Sequence, residues 1–196
     1  MEIALDLTNG VCWSLVYILA IILGIRRKTW CIPKMAICQN FAWEFLIVLS
    51  QFQSGADWRL GYLIQIVWLI LDAVILVLWL WVDRNKLRSN VLLLFAVMLL
   101  MYVLGYKLRM WAYMAFLINA IMSALFLIRF IMEPGLWVSI PIAIAKLKGT
   151  LAATILDGLM GRNLILLWLG GICLILDVCY VYLIIKEGDQ NNREAQ

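Results

Sequence analysis

The chain has 196 residues, 66% of them apolar and only 14% charged, with a formal net charge of +4 and no histidine. A soluble domain carries nearer a quarter of charged residues, so the composition excludes an ordinary water-soluble domain and points to a bilayer as solvent. The missing histidines exclude most metal-centre designs, zinc hydrolases and Ser-His hydrolysis. No basic cluster with interleaved aromatics marks nucleic acid as a partner.

A spanning helix needs about 20 mostly apolar residues. Runs that meet this occupy 8–25, 35–52, 60–82, 90–106, 110–131, 136–156 and 164–185. They predict an all-α integral membrane protein, a seven-transmembrane-helix bundle forming one domain over 1–185, with a polar, mobile tail over 186–196. The first run lacks the basic start of a signal peptide, since Glu2 and Asp6 precede it. The sixth is the least regular. Lys146 and Lys148 fall near its middle, which predicts snorkelling side chains, or a broken or tilted segment; a six-helix bundle with a re-entrant piece is the alternative. Basic residues concentrate on the side holding Arg26, Arg27, Lys28, Arg84, Arg88 and Lys186, beyond those on the side of Arg59, Arg109 and Arg162. That bias places the N-terminus outside and the C-terminus in the cytoplasm. The five cysteines, Cys12, Cys31, Cys38, Cys173 and Cys179, form no CxxC pair and read as free, buried, inert thiols.

Ionisable residues inside a membrane cost about 2.5–3.5 kcal/mol on insertion scales, so each needs a reason. Three carboxyls stand well inside the runs: Glu44, Asp72 and Asp177. Each lies roughly 14–16 Å from the cytoplasmic end of its own helix at about 1.5 Å per residue. Each also shares a helical face with polar or aromatic residues. Asn40 and Gln51 line up with Glu44, flanked by Trp43. Gln65, Trp68 and Trp79 line up with Asp72. Asn163, Gly170, Cys173 and Tyr180 line up with Asp177. Lipid rewards none of these stripes, so they are expected to face inward around a central cavity. The plainer reading makes each acid glue between helices. Against it stand three acids at one depth with no arginine at that level to pair them. A buried carboxyl without a cation favours its neutral form and becomes a proton donor in waiting.

The tryptophans divide in the same way. Trp30, Trp58, Trp111 and Trp137 sit at run ends and suit the interfacial belt. Trp43 and Trp68 lie at mid-membrane depth, where they either pack or present their π-faces to a cation. Acids with an aromatic wall are suitable equipment for protonating an oily substrate and managing the carbocation that results.

The phrase Asn40-Phe41-Ala42-Trp43-Glu44, followed in the next helix by Trp68-x-x-x-Asp72 and in the last by Asp177 and Tyr180, resembles the membrane-bound terpene cyclases of meroterpenoid and indole-terpenoid biosynthesis, typified by the pyripyropene and paxilline cyclases. The resemblance implies a cofactor-free, metal-independent, proton-initiated cyclisation of a prenylated or epoxy-prenylated substrate. It implies Glu44 and Asp177 as the acids, with Asp72 as a further acidic position. Asn40, Trp43, Gln65, Trp68, Cys173 and Tyr180 are expected around the substrate. The implied partners are that hydrophobic substrate, the bilayer, and a pathway prenyltransferase or epoxidase. The implied location is the endoplasmic reticulum in a fungus or the cytoplasmic membrane in a bacterium. The sixth segment, with Lys146 and Lys148, departs from the family pattern. A small proton-coupled transporter is the competing reading, since midplane acids serve such carriers too. No pair of matching Pro/Gly-broken helices supports it. A retinal receptor is excluded by the lack of lysine over 164–185.

Overall fold

A computed structural model describes residues 1–55, 60–133 and 139–194; Trp58, Arg59, Trp137 and the start of the predicted sixth run lie outside them. The described residues form seven α-helices: α1 (Glu2–Arg27), α2 (Lys34–Gln53), α3 (Leu60–Val82), α4 (Leu87–Tyr102), α5 (Trp111–Met132), α6 (Ile140–Ala153) and α7 (Leu164–Glu194). No strand occurs among them. Backbone groups in lipid must bond within their own segment, and apolar runs of this length satisfy that only as helices. α2, α3 and α5 match their predicted runs to within a residue at each end, whereas α1 starts six residues earlier than predicted. α4 ends in a π-helical turn, Val103–Lys107, and α6 continues into a longer one, Thr154–Met160. The sixth segment is thus helical throughout its described length. The α7 backbone stays helical to Glu194, into the polar tail.

Among the described residues, five helical segments are long and apolar enough to cross a membrane: Glu2–Arg27, Leu60–Val82, Arg84–Lys107, Tyr113–Met132 and Leu164–Glu187. α2 and α6 are diluted by buried polar residues, among them Gln39, Asn40 and Glu44 on α2, and Lys146 and Thr150 on α6. The faces are inverted relative to a soluble protein. On α3, Val67, Ile70, Val74, Val77 and Trp81 are exposed at helical spacing, whereas Asp72 is 1% exposed and Trp79 fully buried. An apolar outside around a polar inside is what a lipid solvent selects.

The chain divides into two compact units, one of Tyr17–Ile118 and the other of Met1–Val16 with Asn119–Gln196. In the first, α2 packs against α3 and α4. A Cβ on Gly24 would fall 2.5 Å from Leu78 Cδ2, so glycine lets the end of α1 press onto α3. Lys34 Nζ sits 2.6 Å from Asp83 Oδ2, Asn90 Nδ2 donates to the same oxygen at 3.0 Å, and the ammonium lies 4.8 Å from the Trp30 ring. This clamp ties the start of α2 to the α3–α4 junction. In the second unit, α6 packs along α7. A Cβ on Gly170 would meet Thr154 Oγ1 at 2.3 Å, so only glycine allows that approach.

Asn163 does not belong to the polar stripe of α7. Its Oδ1 accepts from the backbone N–H groups of Ile165 (3.1 Å) and Leu166 (3.2 Å), an N-cap that satisfies two otherwise orphaned donors.

Candidate functional site

Two polar interiors stand out, one in each unit. In the unit Tyr17–Ile118, α2 supplies Asn40 and Glu44 one turn apart, and α3 supplies Asp72. Glu44 is 3% exposed and Asp72 1% exposed. Glu44 Oε2 and Asp72 Oδ2 are buried with no hydrogen-bond partner among the described residues. Gln39 Oε1, Gln65 Oε1 and the indole nitrogen of Trp79 are in the same condition. Buried polar atoms ordinarily find a partner, so each of these exceptions on α2 and α3 calls for an explanation.

Asn40 is buried on α2 with Glu44, and its Nδ2 donates to the Tyr17 hydroxyl of α1 at 3.1 Å. Trp43 is half-buried and packs on Trp111, with ring centroids 5.6 Å apart, and Trp111 meets Tyr106 edge-on at 5.0 Å. Gly105 makes room for that indole, since a Cβ there would lie 2.5 Å from it. Trp111 is therefore part of an aromatic ladder with Trp43 rather than an isolated belt residue. Gln65 and Trp68 are half-buried on the same helix as Asp72.

The second interior is built differently. Lys146, 1% exposed on α6, places its ammonium 2.6 Å from Asp177 Oδ1, 2.6 Å from Ser123 Oγ and 3.1 Å from Asn119 Oδ1. Thr150 donates to Asp177 Oδ2 at 3.0 Å, and Asn119 Nδ2 donates to Thr150 Oγ1 at 3.1 Å. The chain of bonds closes on itself: Lys146 to Asp177, Thr150 to Asp177, Asn119 to Thr150, and Lys146 back to Asn119. The Trp13 ring lies 5.5 Å from the ammonium, a cation–π distance. Gly149 permits this, because a Cβ would fall 2.8 Å from the indole. Lys146 therefore does not snorkel, and Asp177 is not the cation-free carboxyl that its sequence surroundings suggested. A cation at its own depth pairs with it. Lys148, two residues on, is exposed.

Cys173 and Tyr180 share the buried face of α7 with Asp177, at 0% and 2% exposure. The Tyr180 ring packs against Phe126 (5.5 Å) and Phe130 (6.0 Å). All five cysteines are free, but only Cys31, Cys38 and Cys173 are buried; Cys179 is exposed on the outer face of α7. Among the described residues no three His, Cys, Asp or Glu side chains gather as a metal site.

Sequence reasoning missed Tyr17, Lys146, Thr150, Asn119 and Ser123. For the last four a signal existed. Lys146, Thr150 and Thr154 recur at intervals of four, as do Asn119 and Ser123, which puts each set on one helical face.

Apolar outer faces around buried polar residues mark an all-helical membrane protein. The sequence profile of the Pyr4-like transmembrane terpene cyclases matches residues 2–132, well over half of the chain. The chain belongs to this family. It is similar to the Pyr4-family terpene cyclase mfmH of Annulohypoxylon moriforme, 38% identical over 53 residues, 27% of this chain and 22% of that protein. It is also similar to the terpene cyclase ascF of Acremonium egyptiacum, 32% identical over 72 residues, 35% of this chain and 23% of that one. The matched stretches span less than a quarter of the length of these curated relatives. No solved structure matches.

Proposed function

We propose that the protein is a membrane terpene cyclase that starts cyclisation by protonating a prenylated or epoxy-prenylated substrate, with Glu44 as the general acid and Asp72 as its partner. The observation that carries this reading is the pair of orphaned carboxyl oxygens, Glu44 Oε2 and Asp72 Oδ2, buried on α2 and α3. A carboxyl buried in an apolar interior with no cation beside it favours its neutral form. A carboxylic acid kept neutral in such surroundings holds a proton that it can hand to an epoxide oxygen or an alkene carbon in the transition state.

In the epoxide case the carboxyl O–H bond breaks and its proton goes to the epoxide oxygen. The C–O bond to the more substituted carbon breaks with it, leaving a hydroxyl and a tertiary cation. Alkene electron pairs of the prenyl chain then close rings in turn. The last cation is quenched by losing a proton or by a nucleophile on the scaffold, and the acid is reprotonated from solvent. Trp68 and the aromatic ladder of Trp43 and Trp111 offer π-faces that suit a passing cation.

The experiment is conversion of an epoxy-prenylated aromatic substrate by membranes containing the protein. General-acid catalysis contributes about 10²–10⁴-fold, so Glu44→Gln is expected to lose at least about 100-fold of turnover while still inserting normally. Undiminished turnover in Glu44→Gln would remove the acid assignment. Absence of any conversion by the wild type across epoxide and alkene substrates would remove the cyclase reading itself.

A further inference from the structure

The closed ring around Asp177 divides labour between the two interiors. Lys146 has three N–H donors, and all three have an acceptor: Asp177 Oδ1, Ser123 Oγ and Asn119 Oδ1. The remaining direction of the ring is fixed by valence. Asn119 uses its carbonyl oxygen for the ammonium, so its NH₂ must donate, and it donates to Thr150 Oγ1. Thr150, having accepted, spends its only proton on Asp177 Oδ2. Ser123 passes its own proton to the Asn119 backbone carbonyl, while Lys146 and Thr150 both donate to the carboxylate, so both Asp177 oxygens are acceptors. A further proton on Asp177 would find no acceptor left in the ring, and a proton moved to it from Lys146 would leave a neutral amine 5.5 Å from the Trp13 ring, a position that favours a cation. Both changes are costly for buried groups.

We propose that Lys146 is a positioning residue that holds Asp177 as a fixed carboxylate, so that Asp177 takes part in the reaction as an anion and is not the group that delivers the first proton. This rests on the cyclase reading for its consequence: the first proton is delivered by a group other than Asp177. The ring itself is independent of what the substrate is. Thr150 and Asn119 complete it, and Trp13 covers the outer side of the ammonium.

The test is infrared spectroscopy of the purified full-length protein in nanodiscs, comparing wild type with Asp177→Asn. Asp177 is expected to contribute a carboxylate band and no neutral C=O band. Loss of a neutral carboxyl band on making Asp177→Asn would overturn the proposal. In Lys146→Met a new neutral carboxyl band is expected, and it should vanish in Lys146→Met combined with Asp177→Asn. Persistence of the ionised Asp177 in Lys146→Met would equally overturn it. Lys146→Arg keeps the cation and is expected to keep the carboxylate. If Lys146→Met does not fold, the wild-type, Asp177→Asn and Lys146→Arg spectra still decide the matter.

None of these spectra requires turnover, so they stand or fall apart from the cyclase reading. In turnover assays, Lys146→Met is expected to lose at least tenfold of kcat, with no further loss when it is added to Asp177→Asn. Independent, multiplying losses would show that Lys146 does not act through Asp177.

Discussion

The two interiors solve opposite problems with similar residues. In the Tyr17–Ile118 unit, two carboxyls lie buried without a cation and each leaves an oxygen unpaired. In the other unit, one carboxyl is buried with a cation and every polar atom of the ring is matched. The difference teaches that a buried acid is not by itself a reactive one. What decides is whether its surroundings already consume its hydrogen-bonding capacity. A satisfied network rigidifies and specifies packing, whereas an unsatisfied one is unstable by itself and makes sense when something else completes it.

The contrast predicts very different responses to substitution. Removing one partner of a buried ion pair typically costs about 3–5 kcal/mol, because it strands the other charge. Lys146→Met is therefore expected to lower the melting temperature in detergent sharply, and Asp177→Asn made in that background should recover part of the loss. Asp72→Asn, which removes a carboxyl from an already crowded pair, should leave the melting temperature unchanged or raised. A marked fall in Asp72→Asn together with indifference to Lys146→Met would invert the comparison.

Next in size is Gly170→Ala. Its Cβ would collide with Thr154 beside the ring, and overpacking of this kind costs typically about 1–3 kcal/mol. Gly171→Ala, where a Cβ would meet nothing within 4 Å, is the matched control and should be neutral. Tyr17→Phe removes the acceptor of Asn40 and should cost on the order of 1 kcal/mol, measured by the same melts.

The smallest effect belongs to the Lys34–Asp83 clamp, a partly exposed pair of the kind worth about 0–1 kcal/mol. The hydrogen bond from Lys34, then that from Asn90, hold the Asp83 carboxyl below its ordinary value of 3.8. A carboxyl depressed by folding stabilises the folded state above that ordinary value, and the contribution disappears as pH falls through the lower folded value. Acid titration of stability should show this small step in the wild type and not in Asp83→Asn.

Much of this was legible in the sequence. The helices follow from apolar runs, and the stripes of Glu44, Asp72 and Asp177 do face inward, because a polar side chain in lipid has nowhere else to go. The pairing of Asp177 was not legible. Hydropathy counts Lys146 only as a cost, and nothing local says that its helix adjoins α7 or that Thr150 and Asn119 will close a ring. Tyr17 was hidden by a greasy neighbourhood in which a phenol reads as one more aromatic. Asn163 was misplaced because helical phase alone cannot separate the first inward residue of α7 from its cap. The family profile offers no help with the ring, since its match stops at residue 132, before Lys146 and Asp177.

Three helical segments close on a basic residue in the left-handed region: Lys28 (φ 50°), Arg109 (φ 53°) and Arg162 (φ 50°). Glycine is the usual occupant of such a terminus, and a side chain there costs about 1–2 kcal/mol. A positive charge against the negative end of a helix returns about 0.3–1 kcal/mol. The balance leaves a deficit at each of these corners, so local backbone energetics do not account for the choice. A guanidinium or ammonium is costly to draw into hydrocarbon, so a basic residue at such a corner suits a helix that must keep its end out of the bilayer core.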